Sequence, residues 1–352
     1  MTPKVSVVMP SFNHERFVRT AIESVLTSTF ADLEVLVTDD GSSDDSAKII
    51  RSIEDPRLRF EAFDVNRGAC LAMNSAIRRA RGKYIAVLNS DDVSLPHRIL
   101  RQVEFLDEHP DVGAVFGQPL FIDADGRPLV EDDTFYGSRF IVPNRTRGEW
   151  IRHFFLEGNC LCHPSVMIRR HCYEVAGLYN PAFAQLPDFD MWIRVVQHFS
   201  IHILDEPLVQ FRILEGGRNA SAPRLDVALR IEFEWLTILE SFLHVDVSLL
   251  LDAFPEIEGP RVPAGKPGLL ARGARKILER LSEGGAQAAT QASRPLAWRI
   301  AELALGVPRR ANALFALRTM YSLLPEIDDP LAYAAFIKLA GSVDPFGLVS
   351  RR

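Results

Sequence analysis

Short apolar, β-branched runs alternate with longer amphipathic stretches over roughly the first 125 residues, the runs falling at 5–9, 33–38, 58–63, 84–88 and 112–116. Runs of this kind, apolar at successive positions rather than at every second one, predict strands buried on both faces. A mainly parallel sheet with helices packed on each side follows. The intervening stretches fit that plan. Residues 14–27 place Phe17, Ala21, Val25 and Leu26 on one helical face, Asp44 is placed to cap a second helix, and 69–79 predicts a third. In open sheets of this type ligands bind beyond the carboxyl ends of the strands, so the strand-to-helix turns carry the candidate chemistry.

The rhythm breaks over 126–162, where Gly126, Pro128, the acidic Glu131-Asp132-Asp133 run, Gly137 and Pro143 predict an excursion over the surface. Beyond it, 163–169 predicts a strand, 190–198 a helix, and 201–213 a strand interrupted at Pro207. From 225 the pattern turns helical, over 225–243, 269–281, 295–305, 310–324 and 331–340, with a small-residue linker at 282–293 and no repeat period. Two domains are expected, an α/β domain at 1–222 and an all-α module at 223–352. Trp235, Leu236, Leu239 and Phe242 form a helical stripe expected to pack on the first domain.

Composition narrows the function. The chain has 352 residues, 47% hydrophobic and 24% charged, ample for a folded core, and its net charge of −6 argues against a nucleic-acid partner. The first apolar run is too short for a signal sequence and no stretch approaches a membrane span, so a cytoplasmic location is expected. Peripheral contact at the cytoplasmic membrane face and self-association through the helical module stay open. The four cysteines, at 70, 160, 162 and 172, lack both a disulfide framework and the paired spacing of a zinc knuckle, so reduced, buried thiols are expected.

The first turn is Pro10-Ser11-Phe12-Asn13, whose polar groups either cap a helix or hold a nucleotide. The second is Asp39-Asp40-Gly41-Ser42-Ser43-Asp44, a capped turn or a pair of acids reading a base and a ribose. The fourth strand runs into Asn89-Ser90-Asp91-Asp92, where Asp91 is placed to hold a hard divalent cation and Asp92 fits a helix cap.

These segments, in this order and with Asn66-Arg67-Gly68 and Gly82-Lys83-Tyr84-Ile85 between them, resemble glycosyltransferase family 2 over about the first 220 residues. The resemblance implies a GT-A fold, a Rossmann-like mixed sheet flanked by helices, here with an added helical C-terminal region. It implies an inverting hexosyl- or related transferase that moves a sugar from a nucleotide-diphosphate donor, a UDP-sugar by family habit, to an acceptor hydroxyl. Cell-surface glycan or polysaccharide biosynthesis is the implied setting, with a carbohydrate, lipid-linked or protein acceptor.

By position, Pro10, Ser11 and Asn13 become nucleotide contacts, Asp39 a base reader with Asp40 beside it, and Arg67 a phosphate contact. Asn89 and Ser90 border the donor, Asp91 becomes the ligand of Mg2+ or Mn2+, and His163 borders the active site. The segment Pro187-Asp188-Phe189-Asp190-Met191-Trp192 resembles the family's acidic motif and makes Asp188 the catalytic base. Residues 212–221 resemble a loop that closes on the donor. Two departures stand out: Asn89 replaces the leading acid of the metal motif and Pro187 the usual Glu. They keep open a non-catalytic nucleotide-sugar-binding scaffold; a sugar nucleotidyltransferase is a further alternative, disfavoured by the lack of a Gly-rich basic first turn.

Overall fold

The computed structural model describes residues 2–130, 134, 136–214, 219, 225–255, 315 and 319. Helices predicted at 269–281, 295–305 and 331–340, the linker at 282–293, Glu131-Asp132-Asp133 and most of 310–324 and 215–224 lie outside these residues.

The apolar runs form the sheet. Strands β1 (Val5–Ser11), β2 (Leu33–Asp39), β3 (Leu58–Ala62) and β4 (Tyr84–Val87) lie in the order β3-β2-β1-β4, all parallel. Beyond β4 come β7 (Met167–Arg169), β6 (Val112–Ile122), β8 (Ser200–Arg212) and, at the edge, β5 (Val93–Ser94). Strand β7 runs antiparallel to both neighbours, β6 and β8 are parallel, and β5 is antiparallel to β8. The sheet is therefore mixed. Its centre is apolar on both faces, as Val5, Val7, Val35, Val37 and Ala86 on one face and Val8, Leu36, Ile85 and Val87 on the other are fully buried. Each Val of that set contributes roughly 1.5–3 kcal/mol by leaving water.

Helix α1 (Val18–Leu26) buries Val18, Ala21, Ile22 and Val25 against this core, and α3 (Ala69–Arg79) buries Met73, Ala76 and Ile77. The short α2 (Ser46–Arg51) follows β2, and α4 (Arg98–Glu108), α6 (Arg170–Ala176) and α7 (Pro187–Val196) complete the first unit.

Several expectations are corrected. The residues around 163–169 open as a 3-10 turn, His163–Ser165, because Pro164 cannot donate to a ladder, and only Met167–Arg169 pairs as a strand. The surface excursion contains a helix, α5 (Arg147–Leu156), that buries Trp150, Ile151, Phe154 and Phe155. Helix α7 starts at Pro187, three positions before the expected Asp190, since proline fits the first turn. Asp44 does not cap from the N-cap position, which is Asp45; it accepts from Ser46 N and Glu15 N at 2.9 and 3.0 Å. Asp92 is no helix cap either, for α4 is entered through His97.

The chain divides into two compact units, one of residues 1–147 and 159–228, the other of 148–158 with residues from 229 onward. In the second unit Phe242, which follows α8 (Leu225–Ser241), packs edge-on against Phe155 with ring centroids 5.2 Å apart, and α9 (Val247–Ala253) is capped by Asp246. Among the described residues no helix is long and apolar enough to cross a membrane.

Candidate active site

The registers bring three strand ends together: Ser11 lies opposite Asp39, and Val8 opposite Val87 just before Asn89. The turns beyond them are stitched to one another. Asn13 takes a left-handed conformation, φ 53°, which a short amide side chain tolerates. Its Oδ1 accepts from Ser43 N at 2.9 Å while its own N–H donates to Ser42 Oγ at 2.9 Å. Asp39 accepts from Ser42 N and Oγ at 2.9 and 2.6 Å. Asp40 reaches the other way and accepts from Arg67 N and Gly68 N at 2.7 and 2.9 Å, fixing the entry to α3. Gly41 permits this, having φ +71° and no room for a Cβ, which would sit 2.5 Å from the Val65 carbonyl carbon.

A cleft of about 460 Å3 opens over these turns, lined by Pro10, Ser11, Phe12 and His14 from the first, Asp40 from the second, Asn66, Gly68 and Ala69 from the third, and Asn89 through Asp92 from the fourth. Its far wall is Tyr136, Phe211, Arg212 and Asn219. The size suits a small-molecule ligand. One hydroxyl in it is conspicuous. Ser11 Oγ is buried and has no hydrogen-bond partner, an arrangement that costs about 1–3 kcal/mol unless a ligand satisfies it.

Four carboxylates surround this floor, and among the described residues none forms an ion pair with a Lys or Arg side chain. Asp92 is buried and accepts from Asn89 Nδ2 and from Arg212 N–H, both at 2.9 Å. Burial first, and the neighbouring Asp91 second, push its carboxyl pKa well above the usual range. The Arg212 guanidinium is spent on backbone carbonyls of Asp91, Asp123 and Ala124 and lies 4.7 Å from the Phe17 ring centroid. Asp91 faces His14, Oδ2 to Nε2 being 3.9 Å, and the other ring nitrogen of His14 meets Ser90 Oγ at 2.7 Å. Among the described residues no group of three His, Cys, Asp or Glu side chains forms a metal cage. A single carboxylate beside a diphosphate site nevertheless fits a hard cation, since Mg2+ commonly takes one or two carboxylates and completes its shell with phosphate and water.

Asp188 and His163 belong to a neighbouring group and do not line the cleft; nor do Asn13, Asp39 or Arg67. Asp188 sits in the first turn of α7 and accepts from Asn159 Nδ2 and Phe189 N, both at 2.8 Å. Tyr179 hydroxyl meets His163 Nε2 at 3.0 Å. Burial pushes the tyrosine pKa well up, with Tyr173 and then Asp188 adding to it. Burial alone lowers that of His163 to about 4, so its ring is neutral near pH 7. Helix α3 links the two groups. Ala69 at its start lines the cleft, Cys70 Sγ approaches Phe183 O at 3.3 Å, and Asn74 exchanges hydrogen bonds of 2.7 and 3.0 Å with the Tyr179 backbone. Asp190 is structural, pairing with Arg194 at 2.7 Å. Arg67 holds its guanidinium over Phe63, 4.8 Å from the ring centroid.

A larger depression, about 620 Å3, lies at the opposite, amino ends of the strands. Three of its basic side chains are matched to acids: Lys4 and Lys83 by Asp107 at 2.6 and 3.0 Å, Arg81 by Glu34 at 2.7 Å.

The model of Glycosyl transferase family 2 matches residues 6–173. An uncharacterized glycosyltransferase of Methanocaldococcus jannaschii is 30% identical over 216 residues, 60% of this chain and 71% of the relative. The chain belongs to glycosyl transferase family 2. Another relative, the putative teichuronic acid biosynthesis glycosyltransferase TuaG of Bacillus subtilis, is 28% identical over 62% of this chain and 82% of its own. Among solved structures, S. aureus TarS 1-349 in complex with UDP superposes with a TM-score of 0.56 at 15% identity, covering 97% of this chain and 92% of that one. The mannosyltransferase PcManGT from Pyrobaculum calidifontis, in complex with GDP-Man and Mn2+, gives 0.51 at 14% identity over 97% and 87%. At such identities these likenesses establish the fold, which is GT-A.

Sequence reasoning found Pro10, Ser11, Asp40 and the 89–91 segment, all of which line the cleft. It missed His14, Tyr136 and Phe211, while Arg212 and Asn219 fall in the 212–221 segment expected to close on the donor. His14 directly follows a recognised turn, a signal that adjacency alone supplies; Tyr136 and Phe211 reach the cleft only through tertiary packing.

Proposed function

We propose that the chain transfers a sugar from a nucleotide-diphosphate donor, a UDP-sugar, to an acceptor hydroxyl with inversion at the anomeric carbon. The observation carrying this is the cleft at the carboxyl ends of β1, β2 and β4, in which a buried, unpartnered Ser11 hydroxyl and un-neutralised acids face one space. The UDP in TarS and the GDP-Man in PcManGT support a nucleotide-sugar ligand for such a fold.

The first turn and Asp40 hold the nucleoside, and the Asn89–Asp92 segment faces the diphosphate. Asp91 is the residue that would hold Mg2+ or Mn2+; the ion supplies positive charge to the departing diphosphate. Asp188 removes the acceptor's proton as its oxygen attacks the anomeric carbon. The bond to the diphosphate breaks and its electron pair leaves with the phosphate oxygen, so no enzyme nucleophile is required. Asn159 aims the Asp188 carboxylate, and neutral His163 with Tyr179 shapes the acceptor side. Synthesis of a cell-surface glycan is the setting that the name of TuaG supports.

A second reading, nucleotide-sugar binding without transfer, draws on one observation: the Asn89 amide is turned to Asp92. Incubating the protein with a panel of nucleotide sugars and Mn2+ or Mg2+ separates the two. Release of free nucleoside diphosphate is expected; binding without release in the presence of candidate acceptors contradicts the transferase reading.

A further inference from the structure

The approach of the His14 ring to Asp91 is not used in the scheme above. The imidazole is fixed from three sides. Its backbone N–H donates to Ser46 Oγ at 2.9 Å, the left-handed Asn13 before it sets the direction of the chain, and its Nδ1 lies 2.7 Å from Ser90 Oγ. The remaining nitrogen, Nε2, faces Asp91 Oδ2 at 3.9 Å, too long for a hydrogen bond. When Nδ1 donates to Ser90, Nε2 presents a lone pair to a carboxylate. Two electron-rich groups held face to face call for a cation between them.

The spacing suits a metal ion. With ligand distances of about 2.1 Å, two donors on one ion stand roughly 3 Å apart at a right angle and about 4.2 Å apart when opposite. The observed separation lies within that interval. The hydrogen bond at Nδ1 is also the kind that orients a ligating histidine and fixes its tautomer. Moreover, the neighbouring side chain that might have served, Asn89, is turned away to Asp92.

Resting on the donor-site reading above, we propose that His14 Nε2 is a second protein ligand, with Asp91, for the divalent ion at the donor diphosphate. One imidazole nitrogen makes the site select Mn2+ or a similar transition ion over Mg2+, because nitrogen donors strengthen binding along the first-row series and suit Mg2+ poorly.

The test uses the full chain with UDP as the nucleotide probe. Spin-echo spectroscopy of bound Mn2+ should reveal coupling to an imidazole nitrogen in the wild type, and that coupling should vanish in His14→Gln. In the presence of UDP, His14→Gln should weaken Mn2+ binding about tenfold or more, with Mg2+ binding changed less than about threefold. Ser90→Ala, which only loosens the ring, should weaken Mn2+ binding to an intermediate degree. Wild-type protein that binds UDP and Mn2+ without nitrogen coupling overturns the role of His14 and leaves the donor site standing. Full Mn2+ affinity in His14→Gln overturns that role equally. Wild-type protein that binds no UDP contradicts the donor site itself, and the inference falls with it. Should His14→Gln fail to fold, the nitrogen signal of the wild type decides.

Discussion

The two ends of the sheet use the same residue types to opposite effect. At the amino ends every buried acid has a cation. Glu34, inside β2, is bonded by Ser6, Arg59 and Arg81, and although burial alone would raise its pKa, Arg81 foremost brings it down to about 2. Asp107 likewise accepts from Lys4, Lys83 and Tyr84. At the carboxyl ends Asp39, Asp40 and Asp92 accept from backbone N–H groups, hydroxyls or an amide, and Asp91 faces a histidine. Matched acids hold the fold together, whereas acids left without a strong cation keep capacity for a ligand. The larger depression is therefore a stapled edge and the smaller cleft the working one.

That contrast can be broken by mutation. The largest effect is expected at Asp188→Asn, which should lower turnover by about 10²–10⁴-fold while donor binding is retained; near-normal turnover removes Asp188 from the role of base. Asp91→Ala should weaken metal-dependent UDP-sugar binding about a hundredfold, near 3 kcal/mol, with little change in melting temperature. Calorimetry with and without Mn2+ reads this directly.

The reverse pattern is expected at the amino ends. Glu34→Ala leaves Arg81 and Ser6 without their shared acceptor; since Arg81 is half exposed and can hydrate, the loss is roughly 2 kcal/mol of stability, read by urea unfolding, with UDP binding unaltered. A weakened donor affinity in this variant would blur the distinction between the two edges.

The smallest effect is a pH dependence. His163 has its pKa lowered to about 4 in the folded protein, so the unfolded chain binds the extra proton first. Stability from this group is complete above about pH 6.5 and declines as pH falls toward 4, by roughly 1–2 kcal/mol given the partial exposure of the ring. Unfolding at pH 7, 5.5 and 4 should show that decline, flattened in His163→Gln.

The sheet was legible because its central strands are buried on both faces, so Val7, Val8 and Met9, and Val35, Leu36 and Val37, announce themselves as unbroken apolar runs. Strand β7 was blurred by Pro164, and α5 was hidden between Pro143 and Gly158, though its buried Trp150, Ile151, Phe154 and Phe155 carry a helical spacing. The cleft was half legible. Ser11, Asp40 and Asp91 stand at strand ends that the pattern locates, but which oxygen of a turn is satisfied internally depends on how the turn folds back on itself and on its neighbours. Asp39 lies 1% exposed with both oxygens bonded to Ser42, while Asp40 beside it borders the cleft. Arg212 was legible only as the start of a donor loop: its partners, the backbone carbonyls of Asp91 and Asp123, meet it only when β8 joins the sheet.

If the carboxyl-end cleft is a metal-assisted nucleotide-sugar site, a donor must stabilise the folded chain. Thermal unfolding across a panel of nucleotide sugars, with and without Mn2+, tests this most directly. At a hundredfold excess over Kd one donor should raise the melting temperature by about 5 °C or more, only when Mn2+ is present, and Ser11→Leu should abolish the shift. A panel in which no nucleotide sugar moves the transition, or a shift that survives Ser11→Leu undiminished, would contradict it.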